Sequence, residues 1–246
     1  MSKPKYHSEE DAIELLHAAA EKGNHSALRR LAGFYKNGKH GFLIDPFKSE
    51  DLYASAERQQ IELGRAGDHH QLISVATAIY LKGKSSLEAE KLMSEAVAIG
   101  NAQKGGLDAV AATSIANYYS LKMLRGDSLA ADQRYRWLMY AAQRVPERLQ
   151  TTFLIDLAQF FGGKNTSALG NEVVIDATLA HALYNVAMTK SATYKSLLQK
   201  EFTEIEKSMT RSEISAAVSM ARTCKDTPYS LCLQAIEKSY ADKIGG

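Results

Sequence analysis

Small and apolar residues recur along the chain in two interleaved series that share one period. Each copy of the first series is a run of small residues that ends in an aromatic pair or its equivalent. Its four anchors are Leu31, Val75, Ile115 and Leu157, which are separated by 44, 40 and 42 residues. A repeat of this length is typical of stacked helical hairpins.

The second series places large residues three and four positions past an anchor and a small residue seven positions past it. Its copies begin at Ser49, Ala89, Arg134 and Ala180. Positions i, i+3, i+4 and i+7 share one face of a helix, so the pattern predicts amphipathic helices. Two interleaved series indicate one helix-turn-helix unit used four times, because stacked units bury faces that a single hairpin leaves in water.

The pattern predicts an all-α fold, a right-handed α-solenoid of antiparallel helix pairs that forms a single domain over residues 1–246. The low proline content favours helix as well, because only 4 prolines are present and proline is costly inside a helix. Several recurring positions are expected to be buried between repeats: Leu31, Tyr35, Tyr80, Leu157, Leu183 and Ala187. The predicted segments are repeats at about 10–60, 61–101, 102–145 and 146–192, then C-terminal capping helices over 193–246.

The residues of the repeat resemble a known family. The segment from Asp176 to Ala187 is similar to the second helix of the Sel-one-like repeat, a tetratricopeptide-like helical hairpin, and Asp45, Ser49 and Tyr53 match the same positions in an earlier copy. Met209-Thr210 and a following helix that ends in cysteine are similar to a common ending of that family. The resemblance covers roughly residues 10 to 225, and it implies an α-solenoid of helix pairs.

The resemblance also implies that the protein binds another protein and is not an enzyme. Relatives include adaptors or scaffolds of Gram-negative cell-envelope machines such as type VI secretion, and immunity proteins that neutralise a secreted toxin. We therefore expect a periplasmic adaptor or scaffold, with an immunity protein as the alternative. A receptor or enzyme whose site is assembled across repeats is a second alternative, because such a site would not show as a motif.

Charge and hydropathy narrow the class of partner. The net charge is +2, and basic and acidic residues alternate along most segments, which is typical of solvated helix faces. A basic stripe that would predict a nucleic-acid partner is not visible, and the alternation gives no reason to expect an anionic lipid surface. No apolar run reaches the ~18 residues that span a bilayer, and the polar start shows no signal peptide.

Motifs for catalysis and for metal or cofactor binding are not found in the sequence. The only adjacent histidines, His69 and His70, would point about 100° apart on a helix, so a shared metal ion is not expected. No nucleophile elbow, phosphate-binding loop or dinucleotide fingerprint occurs. We therefore expect no catalytic residue, no metal and no cofactor.

Cys224 and Cys232 are the only cysteines. A helix end, a turn that contains proline and a helix start can bring two such residues within bridging distance, and the ends of exported relatives look similar. Two buried thiols, common in cytosolic proteins, are the alternative. We expect the disulfide, and with it an oxidising compartment such as the periplasm. A leader peptide would then have been removed from the protein. The cytoplasm is the alternative location.

Aromatic and charged side chains away from the anchors are candidates for partner contact, because tyrosine and arginine are enriched among interface hot spots. We expect them on a concave surface lined by one helix of each pair. For the adjacent tyrosine pair, packing between repeats is the alternative, since it aligns with Phe34 and Tyr35. The long loop from Lys164 to Ile175 is the next candidate interface. The candidates are Tyr118, Tyr119, Tyr135, Arg136 and Tyr140.

Overall fold

The structure, a computed structural model, describes residues 8–127, 129–163, 175–190 and 192–244, and over these residues its regular elements are helices with no strand. The predicted all-α fold is confirmed. The α-helices are α1 Glu9–Glu21, α2 His25–Asn37, α3 Pro46–Arg65, α4 His69–Leu81, α5 Ser86–Ala102, α6 Ala109–Leu124, α7 Ala130–Ala142, α8 Gln150–Phe161, α9 Ala177–Lys190, α10 Ala192–Lys207, α11 Arg211–Asp226 and α12 Tyr229–Ile244, and a 3₁₀ turn covers Glu147–Leu149.

Neighbouring helices associate as the hairpins that the two series predict. The main pairs are α2 with α3, α4 with α5, α6 with α7 and α8 with α9, and in each pair a helix of the first series is followed by one of the second. Helix α1 packs on α2, whereas α10 and α11 both pack on α9 and α12 packs on α11. The helix pairs of the predicted solenoid are therefore present, while the single domain and the repeat boundaries stay predictions.

The chain forms two compact units, Met1–Gly106 with α1 to α5 and Leu107–Gly246 with α6 to α12. In the first unit, α3 and α4 approach closely at Gly64, where a Cβ atom would overlap the side chain of Leu72. Any larger residue at this position would push the two helices apart. Helix α1, at the start of this unit, has no buried residue.

Local signals fix where many of the helices begin. The carboxylate of Asp45 accepts a hydrogen bond from the Lys48 amide, and Pro46 occupies the first turn of α3, where its missing N–H leaves no bond unmade. At the start of α11, Thr210 and Glu213 form a capping box in which each side chain bonds the other residue's backbone.

Five of the six recurring positions expected to be buried lie in the interior. Leu157, Leu183 and Ala187 are fully buried in the second unit, and Leu31 and Tyr80 are buried in the first. Tyr35 was expected to be buried between repeats but is only partly buried. Its ring is covered by the chain that follows α2, with Phe42 in edge contact at 4.8 Å and the Lys48 ammonium 4.3 Å from the ring centre.

The last helix of the second unit is attached at both ends. Cys224 and Cys232 form the predicted disulfide between the end of α11 and the start of α12, and both residues are buried. Near the other end of α12, the Lys243 ammonium lies 2.7 Å from the carboxylate of Asp176. The second oxygen of Asp176 accepts a hydrogen bond from the Leu179 amide at the start of α9.

Within the described residues, none of the helices combines the length and the apolar character needed to cross a bilayer.

Replacing Leu157 with alanine should lower the free energy of unfolding by roughly 2–5 kcal/mol, because the side chain is fully buried and a cavity would remain. Urea denaturation followed by circular dichroism measures the change. The same substitution at Leu197, which is 64% exposed on α10, is the matched control. Equal effects at the two positions would contradict the burial of Leu157.

The disulfide should persist in the native protein, so thiol titration of unreduced, denatured protein should find no reactive thiol. Replacing both Cys224 and Cys232 with serine should lower the free energy of unfolding by about 2–3 kcal/mol, because the bridge restricts the unfolded chain over a short separation. Two reactive thiols in protein purified without reductant would disprove the bridge.

Candidate partner-binding surface

Helix α7 presents one buried and one accessible face in the second unit. Tyr135, Leu138 and Met139 point into the core. Arg136 is exposed and Tyr140, one turn later, is partly exposed. Spacing by four residues places these last two side chains on the same side of the helix.

Four side chains form a patch on the accessible side of α7 and the turn that follows it. The rings of Trp137 and Tyr140 lie 5.5 Å apart, and the guanidinium of Arg144 lies 3.6 Å from the centre of the Tyr140 ring. Arg136 completes the group. We call Arg136, Trp137, Tyr140 and Arg144 the α7 patch.

Contacts within the second unit hold the α7 patch in one arrangement. The Tyr140 hydroxyl donates a hydrogen bond to the Leu107 carbonyl at 3.3 Å. Arg136 donates through Nε to the carboxylate of Asp132 at 2.8 Å, an ion pair between exposed groups one turn apart. Arginine stacked on tyrosine combines cation–π attraction with a guanidinium edge that can still donate to a partner.

Two of the predicted contact residues are not accessible. Tyr118 is 1% exposed and Tyr135 is 7% exposed, so neither side chain is available to a partner in this structure. For Tyr118, the alternative of packing between helices is the one observed. Tyr135 packs against the rings of Phe160, Phe161 and Tyr240, with the last only 4.3 Å away. Its burial raises the pKa of its hydroxyl, and the nearby Glu237 carboxylate adds to this shift.

The remaining predicted contact residues are still candidates, and they are Tyr119, Arg136 and Tyr140. Tyr119 is partly exposed on α6, the partner helix of α7, and the Lys122 ammonium lies 5.8 Å from its ring. Trp137 and Arg144 were not predicted as contact residues, because the tryptophan fell on a repeat position assigned to the core. The loop from Lys164 to Ile175, which is also a predicted interface, lies outside the described residues over positions 164–174.

A buried arginine belongs to the core and not to the α7 patch. Arg134 is 5% exposed, and its guanidinium lies 5.4 Å from the ring of Phe160. Burial lowers its pKa to about 10, and the Asp156 carboxylate opposes part of that shift. Burial also raises the pKa of Asp156, against the effect of Arg134. This second-series anchor therefore supplies a buried charge where the pattern favours an apolar or small residue.

The first unit carries an open groove of about 990 Å³ between α2, α3 and the chain that follows α4. Its lining is strongly charged and carries both signs, and Lys82 and Glu57 lie 3.6 Å apart within it. A mixed, open surface of this kind is suited to a polar peptide segment more than to an enclosed small molecule. The basic lining residues are Arg29, Lys36, Arg58, Lys82 and Lys84, and the acidic ones are Glu50, Asp51 and Glu57.

Known proteins offer few comparisons. No protein-family model matches the chain, and no curated protein matches it. Among solved structures, the chain is similar to the crystal structure of c5321, described as a protective antigen present in uropathogenic Escherichia coli strains and displaying an SLR fold. The identity is 22% and the TM-score 0.43, and the match covers 94% of this chain and 42% of that one. The chain thus spans less than half the length of that protein.

His181 is a titratable group in the core of the second unit. It is 1% exposed, its ring lies 4.3 Å from that of Phe202, and neither ring nitrogen hydrogen-bonds to a described residue. Burial lowers the pKa of His181 below its ordinary value of 6.5, while the Glu206 carboxylate opposes part of this shift. The folded protein therefore keeps this imidazole neutral at pH values where the unfolded chain protonates it.

The free energy of unfolding should fall as the pH drops below about 6.5, because the unfolded state then binds a proton at His181 that the folded state does not. Above that pH, the histidine is neutral in both states and contributes no slope. Urea denaturation at pH 7.5 and 5.5 measures the difference, and His181→Leu should make it smaller. An identical pH dependence in the variant would exclude His181 as its source.

Proposed function

We propose that this protein is a non-enzymatic module that binds another protein through the α7 patch. The observation that carries the proposal is the grouping of Trp137, Tyr140 and two arginines on an accessible helix face. Tryptophan, tyrosine and arginine are the residue types most enriched among interface hot spots. The α7 patch keeps part of the surface expected from the sequence and loses the two tyrosines that are buried.

The fixed arrangement of the α7 patch supports this function. Association costs free energy when loose side chains must be ordered, and a surface that is already ordered avoids much of that cost. The Tyr140 ring is held by Trp137, by Arg144 and by its hydrogen bond to Leu107. A partner that offers a carboxylate to the arginines and an apolar surface to the rings would fit this arrangement.

The cellular role that we propose is that of a periplasmic adaptor or scaffold of a cell-envelope machine such as type VI secretion. The disulfide supports an oxidising compartment, because such bonds are rare in the cytosol. An immunity protein that neutralises a toxin is the alternative, and it should hold one effector at nanomolar affinity or better, whereas an adaptor can bind transiently. A receptor or enzyme with a site assembled across repeats is the second alternative.

Replacing Arg136 or Arg144 with alanine should weaken partner binding by more than about 1 kcal/mol, roughly fivefold, because hot-spot residues carry most of the binding energy. The melting temperature should barely change, since the Arg136–Asp132 ion pair is exposed and such pairs contribute little to stability. The partner is first captured with the intact protein from an envelope fraction and identified by mass spectrometry. The affinity of each variant for the purified partner is then measured by calorimetry.

Arg222→Ala is the matched control, because Arg222 is also exposed in the second unit but lies on α11. Tyr140→Ala is less informative, since the ring also packs on Trp137 and a loss of stability would accompany it. Full binding by both stable arginine variants would place the interface elsewhere, with the charged groove of the first unit as the next surface to test.

A further inference from the structure

The charged groove of the first unit has an acidic end and a basic end. Helix α3 runs along it, and the acidic lining residues Glu50 and Asp51 lie in the first turns of that helix. Glu57 and Arg58 line the groove about two turns later, and the Lys82 ammonium lies 3.6 Å from the Glu57 carboxylate. The order of these residues along α3 therefore gives the groove an electrostatic direction.

The basic end carries more positive charge than its own carboxylate balances. Glu57 is the acidic lining residue at this end, and Lys82 already engages it. Glu62 and Glu88, the next acidic residue of α3 and the first of α5, do not line the groove. The basic lining residues at this end are Arg29 of α2, Arg58 of α3, and Lys82 and Lys84 of the chain that follows α4.

Arg29 is held in place by a chain of hydrogen bonds. Its Nη2 donates to Oε1 of Gln60 at 2.5 Å, and Gln60 donates through Nε2 to Oε1 of Gln71 at 3.0 Å. Gln71 in turn donates to the carboxylate of Asp68 at 3.1 Å, and an ionised carboxylate only accepts. The chain therefore turns the carbonyl of the buried Gln60 toward Arg29.

The charge of Arg29 is not balanced by a carboxylate among the described residues, because its hydrogen-bond partner is a neutral amide. Its Nε is shielded from water and has no hydrogen-bond partner there either. A cation that is partly removed from water attracts an anion more strongly than a fully hydrated one. A guanidinium whose orientation is already fixed also loses less entropy when it binds a carboxylate. Arg29 is therefore a point at which the groove can hold an acidic side chain.

The acidic end has the opposite character. Glu50 and Asp51 are exposed, and neither side chain forms a hydrogen bond or an ion pair with another described residue. Lys36 also belongs to this end, because the Tyr35 carbonyl accepts a hydrogen bond from the Asp45 amide just before α3. The two carboxylates outnumber this single lysine, so a basic side chain is favoured here.

We propose that the charged groove binds an extended segment of a partner protein that carries an acidic residue and, about three positions away, a basic residue. The acidic residue pairs with Arg29 and the basic residue with Asp51. Asp51 and Arg58 are seven positions apart on α3, about 10 Å at 1.5 Å per residue, and an extended chain covers that distance in about three residues. This site lies in the other unit from the α7 patch and is independent of it.

The test selects from random octapeptides displayed on phage, with the full chain immobilised at low salt. The enriched sequences should carry an acidic and a basic residue about three positions apart. Selection against Asp51→Lys should lose the preference for the basic residue and keep the preference for the acidic one. Selection against Arg29→Gln should lose the preference for the acidic residue.

A synthetic peptide of the enriched sequence is then titrated by fluorescence anisotropy. Arg29→Gln should weaken its binding about tenfold or more, because hydrogen bonds between charged groups are strong where water is partly excluded. Arg29→Lys should restore part of the affinity, and added salt should weaken binding to the unchanged protein. Arg58→Gln with Lys84→Gln should also weaken binding, and it tests the same end without disturbing the hydrogen bond of Arg29.

Arg30→Gln is the matched control, because Arg30 is exposed on α2 and does not line the groove. This variant and Arg136→Ala should bind the peptide like the unchanged protein, and circular dichroism should show that every variant keeps its fold. Absence of an enriched charge pair would overturn the proposal, as would a pair that Arg29→Gln and Asp51→Lys leave unchanged. Loss of peptide binding in Arg136→Ala alone would also overturn it, and would assign the peptide to the α7 patch.

Discussion

The fold depends on how closely its helices can approach, and alanine sets that distance. Alanine has no side-chain atoms beyond Cβ, so a neighbouring helix can lie against it while larger residues on either side interlock. An alanine exposed by 0% or 1% recurs in each of the described α-helices from α2 to α9. These residues include Ala32, Ala56, Ala76, Ala96, Ala116, Ala142, Ala158 and Ala187.

This spacing of small residues explains why the sequence predicts the helix pairs well and the accessible side chains less well. The recurring positions Leu157 and Leu183 are buried because they coincide with the helix crossings. Tyr135 sits next to an anchor and lies in the core, whereas Trp137 fills a repeat position and lies partly in water. The difference depends on how α12 covers α7 and α8 through Tyr240, a contact that no repeat period encodes.

Charged and apolar side chains also depart from their usual places in ways the sequence pattern does not reveal. Arg134 and His181 are buried, while Leu43 and Phe47 face water. The repeat period indicates which positions face the neighbouring helix. It does not indicate which positions at the edge of a unit have no helix packed over them, or which long side chain folds back over an aromatic ring. Such features are visible only in the three-dimensional structure, and the candidate surfaces include them.

Helices α1 and α12 differ in how firmly they are attached within their own units. Within the first unit, α1 buries no residue and is held by its packing on α2 and by the contacts of His17 with Phe42 and of Glu9 with His40, so few interactions oppose its local opening. Within the second unit, α12 is joined to α11 covalently and to the start of α9 by Lys243 and Asp176. Local opening is therefore favoured at α1 and opposed at α12.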